Sequence, residues 1–222
     1  MKTTMIAAAI AVLPTITIAQ NFSVPEGCEP VLTVQHKGCV AVNVWQCEAD
    51  NEGEQWLALL GEGGLFSVQK VDTDFQWLET YKVSGNESLI LPAPDPASMT
   101  ELLANGLDAY EFTITKDSGD ETTVGFDALT GETVVIDGVE LLRTEFGGST
   151  LNEAGVEIDQ SAGRQFISEK HRLFFFGEVW DPATPDNVID MSPVEFIYPD
   201  EPGFFSANPK FECGVIDSRF DG

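Results

Sequence analysis

The side chains in this chain that could perform catalysis are two histidines, its serines and a large excess of carboxylates. His36 stands beside a predicted hairpin turn, where we expect it to be exposed, and His171 lies in a charged run. We expect both to be structural or surface histidines and not catalytic bases. No serine has the Gly-x-Ser-x-Gly context of a nucleophile elbow, and residues 147–150 (GGST) resemble it only superficially. The sequence therefore predicts no catalytic residue, and we expect a protein that is not an enzyme.

Carboxylates are too abundant in this chain for a pair of them to identify a site. The sequence holds 37 Asp and Glu residues against 11 Lys and Arg residues. The pair Asp72 and Asp74 could bind Ca²⁺, but such spacings arise by chance at this density. The two histidines lack the spacing of metal ligands. We therefore expect no metal and no cofactor, and a carboxylate-based hydrolase is the third functional hypothesis.

Basic side chains are rare in this chain, yet four basic or imidazole residues fall between positions 164 and 172. They are Arg164, Lys170, His171 and Arg172. One interpretation is internal charge balance on one face of a strand. The alternative is a contact with an anionic or acidic ligand. Arg164 and Arg172 are therefore candidate ligand-binding residues.

An apolar run follows the basic residues at once. Leu173–Phe176 (LFFF) is apolar on both faces of a predicted strand, and Trp180 comes soon after it. A strand of this kind is either covered by a second layer or faces a cavity. In the second case Phe174, Phe176 and Trp180 would bind an apolar or amphipathic ligand inside a curled sheet.

Four cysteines, an even number in a chain with an export signal, predict two disulfides. The chain up to Cys47 is predicted to form a hairpin with a two-residue turn at Lys37-Gly38. In that register the numbers of facing residues add up to 75, so Cys28 faces Cys47. Cys39, beside the turn, lies roughly 26 Å along the strand from Cys47, too far for a disulfide. The predicted pairs are therefore Cys28–Cys47 and Cys39–Cys213.

Short β-rich runs separated by turn residues dominate the rest of the chain. Strands are predicted at residues 30–36, 39–47, 75–83, 87–91, 110–115, 122–127, 133–136, 139–146, 163–180 and 194–198, where 163–180 forms one long strand or two short ones. One short helix is predicted from Pro96 to Ala104 with Asp95 as its N-cap, and Gly147-Gly148 is expected to end a strand. The predicted fold is mostly β: an antiparallel meander that forms a curled sheet or incomplete barrel, with one short helix.

The first nineteen residues have the features of a cleaved signal peptide. Lys2 precedes an apolar run from Met5 to Leu13, and the small residues Thr17 and Ala19 occupy the −3 and −1 sites of a cleavage after Ala19. The run is too short to cross a bilayer, and no later segment is apolar enough to do so. We expect a signal peptide at residues 1–19, a single acidic β-rich domain at 20–222, and a periplasmic or secreted protein.

A net charge of −26 limits the partners of the mature protein. Such a surface repels phosphate backbones, so nucleic-acid binding is disfavoured. The plan of signal peptide, long antiparallel meander, single short helix and aromatic-rich C-terminal half resembles the incomplete barrels of bacterial periplasmic lipid and lipoprotein carriers. That resemblance concerns the fold alone.

The leading functional hypothesis is an exported binding protein for an apolar or amphipathic small molecule. The alternative is an extracytoplasmic interaction or structural module that binds an envelope protein and no small ligand. An apolar cavity would favour the first, and a packed core with an exposed apolar patch the second. A polar cleft with convergent carboxylates of raised pKa would favour the hydrolase.

Overall fold

The structure, a computed structural model, describes residues 22–214. The predicted signal peptide and the predicted mature start near Gln20 lie outside these described residues. Within residues 22–214 no helix is long and apolar enough to cross a membrane.

Strands make up most of the described chain. In chain order the elements are β1 (Cys28–His36), β2 (Val40–Cys47), β3 (Gln55–Gly61), β4 (Gly64–Val71), β5 (Trp77–Lys82), β6 (Gly85–Leu89), α1 (Met99–Asn105), β7 (Leu107–Lys116), β8 (Glu121–Ile136), β9 (Val139–Asn152), β10 (Glu157–Ser168), β11 (Leu173–Trp180), β12 (Ile189–Asp190) and β13 (Pro193–Ile197). Many of the tight turns between them carry a glycine at positive φ, for example Gly38 and Gly138.

All of these strands belong to one antiparallel sheet that follows the chain as a meander. Each strand from β1 to β11 pairs with the next along the chain, and β13 pairs with β1 at the other edge of the sheet. Residues 189–197 therefore cover both edges of the sheet. At one edge β12 pairs with β11, and at the other edge β13 pairs with β1. The sheet is curled and not closed, which confirms the predicted mostly β fold with one short helix.

The main hydrophobic core lies on one face of the sheet, between β1–β4 and β9–β11. Its members are buried aliphatic and aromatic residues on alternate positions: Leu32, Val34, Val42, Val44, Leu57, Val71, Val139, Leu141, Phe166, Leu173, Phe175 and Phe196. The opposite face of β10 packs against α1, because Ile167 forms a second cluster with Met99 and Leu102. Adjacent residues Phe166 and Ile167 thus support two different clusters, so this part of the sheet is covered on both faces.

Strand β11 has the two-sided burial that its LFFF run predicts. Phe175 is buried in the main core, where its ring packs against Phe196. Phe174 points to the other face, toward Phe75 and the helix, and is half-buried there. Phe176 is also half-buried, beside the main core.

The helix begins three residues later than predicted, and its N-cap is Ser98 instead of Asp95. The Ser98 side chain accepts a hydrogen bond from the Glu101 amide, and Gly106 ends the helix in the left-handed region. Asp95 cannot cap because its backbone exchanges hydrogen bonds with Glu111 in a β-bridge, which keeps this part of the chain extended. Tertiary pairing therefore overrides a local capping signal.

The turn of the first hairpin is one residue longer than predicted. Near the turn His36 pairs with Val40, so the loop holds three residues, and Cys39 is within it at φ 58°. A bulge after Pro30 then adds one residue to β1, so Cys28 still faces Cys47. The disulfides are Cys28–Cys47 and Cys39–Cys213, the two predicted pairs.

Two further predictions are wrong for reasons of packing. Gly147-Gly148 does not end a strand, because β9 runs through both residues to Asn152. His36 is fully buried, not exposed, since its ring packs against Phe175 and Phe176. A residue next to a turn is exposed only where no other segment covers it. Here the edge segment, residues 189–197, covers His36.

Candidate functional site

A cavity of about 320 Å³ lies on the face of the sheet opposite the main core. Its floor is formed by alternate residues of β7–β10, and its walls by α1, the segment before β5 and one residue of β11. Six aromatic residues line it: Phe75, Trp77, Tyr110, Phe112, Phe146 and Phe174. The volume and the apolar lining are within the range of small-molecule sites.

Two glycines allow the aromatic floor to form. A Cβ on Gly125 would lie 2.7 Å from the Tyr110 ring, and one on Gly163 would lie 2.5 Å from the Phe146 ring. Each aromatic ring therefore lies flat across a glycine of the neighbouring strand. A Cβ at Gly125 would also meet the Gly147 carbonyl oxygen at 2.7 Å, and one at Gly163 the Glu178 carbonyl oxygen at 2.3 Å, so a larger residue would disturb the strand pairing as well as the rings.

Two aspartates stand side by side among these aromatic residues. Asp108 on β7 and Asp127 on β8 are directly opposite each other in the antiparallel register, so both side chains are on the cavity face. Asp108 is only 4% exposed, and its Oδ2 accepts a hydrogen bond from the Ser98 amide at 2.8 Å. Asp108 thus supports the start of α1, which leaves Asp127 as the carboxylate that faces the cavity without such a bond.

Burial among apolar side chains dominates the electrostatics of the pair. Burial and, to a smaller extent, the neighbouring Asp108 charge raise the pKa of Asp127 to about 7. The pKa of Asp108 is also raised by burial, although the hydrogen bond from Ser98 opposes the shift. Burial and both carboxylates raise the pKa of Tyr110 too, so its phenol keeps its proton. Near pH 7 the Asp127 carboxyl is therefore about half protonated.

The charge of the cavity is negative. Four aspartates line it, namely Asp74, Asp108, Asp127 and Asp159, and none of the described lining residues carries a positive charge. Asp74 is paired with Arg172 at 2.8 Å. Asp127 has no hydrogen-bond or ion-pair partner within residues 22–214, and Asp159 is exposed. An unpaired carboxylate in a cavity that holds no basic residue among those described attracts cations and repels anions.

A polar cluster fixes the wall of the cavity at the start of α1. The Asp74 carboxylate accepts hydrogen bonds from the Thr100 amide at 2.9 Å and from the guanidinium of Arg172 at 2.8 Å. Arg172 also donates to the Thr73 carbonyl oxygen. These bonds connect the β10–β11 turn, the segment before β5 and the helix, so the aromatic residues of that wall are held in place.

The ligand-binding residues predicted from the sequence are not gathered in one place. Phe174 lines the cavity, and Arg172 lies behind its wall. Arg164 and Trp180 lie elsewhere, where the guanidinium stacks over the indole at 5.6 Å and also pairs with two glutamates. Phe176 packs beside His36 at a ring distance of 5.4 Å. The structure therefore brings one of the five residues into the cavity lining.

Residues that the sequence reasoning missed form most of the cavity. Tyr110 and Phe112 were visible as the apolar face of an alternating strand. Asp108 stands two residues before Tyr110 and so lies on that same face. An acidic residue in register with an apolar face is a signal that could have been used. Asp127 carries no comparable local signal, since only the β7–β8 register places it opposite Asp108.

A second cavity, of about 370 Å³, lies near the β8–β9 turn. Its lining includes Tyr198, with the Lys170 ammonium 4.9 Å from that ring, and the acidic residues Asp137, Glu140 and Glu169. Tyr198 is its one aromatic residue among those described, and Lys170 is exposed, so it lacks the enclosing aromatic walls of the first cavity. We therefore take the first cavity as the candidate site.

Comparisons with protein-family models, with curated proteins and with solved structures find no significant match to this chain. The function of this chain is therefore inferred from the chemistry of the cavity. Aromatic walls, hydroxyl and amide groups at the edges and one free carboxylate can hold an apolar body and orient a polar or charged end.

Proposed function

We propose that this chain is an exported binding protein that holds an amphipathic small molecule in the aromatic cavity. The observation that carries the proposal is the enclosure of one cavity by six aromatic residues, with polar groups grouped on β7, β8 and β10. A cavity of this kind stabilises a ligand through burial of apolar surface, while the few polar groups select its orientation.

Export is supported by the disulfides and by the N-terminal sequence. Both disulfides involve residues of the mature chain, and disulfides persist in oxidising compartments outside the cytoplasm. The sequence of residues 1–19 is typical of a cleaved signal peptide. A strongly acidic surface also keeps a secreted carrier dispersed.

A carboxylate-based hydrolase is the second candidate, and the facing pair Asp108 and Asp127 favours it. Two neighbouring carboxyl groups, one of them protonated near neutral pH, are the acid and base of glycoside hydrolysis. Against this, Asp108 is almost completely buried and is bonded to the Ser98 amide, so it is poorly placed to reach a substrate. Turnover of aryl glycosides that Asp127→Asn abolishes would support the hydrolase.

A cavity-filling variant tests the binding proposal. Ser161 lines the cavity on β10, and Gln160 next to it is exposed and outside the lining, so Ser161→Trp and Gln160→Trp form a matched pair. The uncharged probe N-phenyl-1-naphthylamine should fluoresce with the wild-type protein and with Gln160→Trp. Ser161→Trp should weaken its binding by at least about tenfold, because the new indole occupies the space of the ligand.

Two outcomes would overturn the proposal. One is a wild-type protein that does not bind the probe. The other is a folded Ser161→Trp variant that binds it as tightly as Gln160→Trp, because the probe would then sit outside the cavity. Near-ultraviolet circular dichroism of both variants confirms that the comparison is made between folded proteins.

A further inference from the structure

We infer that the ligand of this cavity is an organic cation, with its ammonium group against Asp127 and its hydrocarbon body against the aromatic walls. This inference rests on the proposed function and adds the charge class of the ligand. It depends on three observations: the charge of the lining, the arrangement of the rings, and the lack of a partner for one carboxylate.

The lining of the cavity makes a neutral or anionic ligand a poorer match than a cation. None of its described residues is basic, and four are aspartates. Arg172 neutralises Asp74, and the Ser98 amide satisfies Asp108. Asp127 is half-buried, faces the cavity and has no partner among the described residues. A buried ionised carboxylate is costly unless a counter-charge is supplied, and the ligand is the available source.

The aromatic rings extend along the cavity from Asp127: Tyr110 is diagonal to it across the β7–β8 pair, and Phe112 is two residues further along β7. The Trp77 ring is edge-on to Phe112 at 6.2 Å, and Tyr110 is tilted against Phe112 at 5.7 Å. The faces of aromatic rings carry partial negative charge and attract cations, most strongly for Trp and Tyr. A carboxylate at one end of a row of aromatic rings therefore suits an amine whose hydrocarbon body extends along those rings.

The charge of the whole molecule acts in the same direction. With a net charge of −26, the protein raises the local concentration of cations and lowers that of anions. A phosphate or carboxylate ligand would have to overcome both this field and the charge of Asp127. An amine would be attracted by both.

Three probes that differ in charge and little in shape test the inference. They are benzyltrimethylammonium, its uncharged carbon isostere neopentylbenzene, and the anion phenylmethanesulfonate. Each competes with the uncharged probe N-phenyl-1-naphthylamine at fixed ionic strength and pH 8. We expect the cation to compete at least about tenfold better than the uncharged isostere, and the anion not to compete.

A variant pair assigns the charge effect to one residue. Asp127→Asn should remove about tenfold of the affinity for the cation and leave that for neopentylbenzene within about twofold, because the shape of the cavity is kept. Glu111→Gln removes the same charge from an exposed position on β7, outside the cavity lining, and should change neither affinity.

The outcomes separate this inference from the proposed function. Equal competition by the cation and the uncharged isostere, or a cation affinity that Asp127→Asn does not change, would overturn the organic-cation assignment and leave the apolar binding site in place. Failure of the uncharged fluorescent probe to bind at all would overturn the proposed function itself. If Asp127→Asn did not fold, the three probes on the wild-type protein would still decide the charge class.

Discussion

Asp127 is the residue whose chemistry differs most from that of an ordinary surface aspartate. Its pKa is raised to about 7 by burial and by Asp108, so the folded protein binds a proton there that the unfolded chain releases near pH 4. The group therefore contributes stability at low pH, and this contribution is lost as the pH rises through about 7. Above that pH the fold contains an unpaired, half-buried negative charge.

Asp127→Asn should consequently stabilise the protein at alkaline pH. The amide has the shape of the protonated carboxyl and cannot ionise, so the free energy of unfolding at pH 8 should rise by on the order of 2–4 kcal/mol. Near pH 4 the variant and the wild type should be about equally stable. Urea denaturation at both pH values measures this, with Glu111→Gln as the charge-matched control. A variant that is less stable than the wild type at pH 8 would contradict the assignment.

His36 provides a second test at the residue scale. Burial favours the neutral form of both groups, so it lowers the pKa of the His36 imidazole, whereas it raises the pKa of the Asp127 carboxyl. Burial lowers the pKa of His36 to about 4, although the hydrogen bond from Nδ1 to the Met191 carbonyl oxygen favours the protonated ring. His171 is half-buried, and burial together with Lys170 lowers its pKa as well. Neutral His36 therefore contributes stability above about pH 6.5 that is lost as the pH falls through about 4.

Proton NMR should detect the neutral His36 directly. The chain has two histidines, so a His171→Gln variant assigns the remaining imidazole signal. We expect the His36 signal to stay unchanged from pH 8 down to about 5, with any titration near pH 4. A midpoint near 6.5 would mean that the ring is exposed and that the edge segment does not cover it.

At the scale of single elements, the hairpin shows what a sequence can and cannot specify. The turn was assigned two residues because Lys37-Gly38 suits a tight turn, yet Cys39 also takes positive φ and lengthens the loop. The bulge after Pro30 compensates, so the cysteine pairing agrees with the prediction although the register near the turn does not. The disulfide pairing is predictable because the distance along the strand excludes the other cysteine pairs. The position of a bulge is not, because it depends on packing.

The long strands also show what the local sequence cannot specify. Alternating residues such as Tyr110 and Phe112 located β7, but Gly147-Gly148 was taken for a strand end. In the structure Gly148 continues β9 opposite Gly125, beside the Tyr110 ring. A glycine that makes room for a neighbouring strand has the same local sequence as one that ends a strand. Most of the candidate site was unpredictable for that reason: it depends on which residues lie opposite each other across β7–β10.

The two disulfides should differ in their effect on stability because they close loops of different length. Cys39–Cys213 spans 174 residues and Cys28–Cys47 spans 19. In the chain-entropy model their removal costs about 5 and about 3 kcal/mol, respectively. The first also anchors the C-terminal segment, which packs through Phe205 on the outer face of β2 and β3. Urea denaturation of the double variants Cys39→Ala/Cys213→Ala and Cys28→Ala/Cys47→Ala measures both losses.

That order could be reversed only if the C-terminal segment stayed in place without its covalent bond. Its hydrogen bonds to β1 and β2 are buried, since the Phe205 amide donates to Thr33 and the Asn43 amide group donates to the Ser206 carbonyl oxygen. A larger loss for the Cys28–Cys47 pair would show that these bonds, and not the disulfide, hold the segment.

At the scale of the whole molecule, a long meander has two sheet edges to protect. Unpaired edge strands are templates for association with other chains. Here one segment, residues 189–197, covers both edges: the Met191 amide donates to the Gly177 carbonyl oxygen of β11, and the Lys37 amide of the first hairpin donates to the Ser192 carbonyl oxygen. The Lys37–Asp190 ion pair nearby is largely exposed and adds little. Backbone hydrogen bonds therefore provide most of the attachment of residues 189–197 to the two sheet edges.

Removal of one of these backbone donors should convert the protein into an aggregating species without touching the cavity. Met191→Pro deletes the amide that bonds to Gly177 and disfavours the extended pairing around it, so β11 loses its cover. Met191→Ala keeps the amide and serves as the matched control, with a loss of side-chain packing alone. We expect size-exclusion chromatography with light scattering to show a monomeric wild type and Met191→Ala variant, and concentration-dependent oligomers for Met191→Pro. A Met191→Pro protein that stays monomeric would mean that the curled sheet protects its edges by curvature and charge, without the strap formed by residues 189–197.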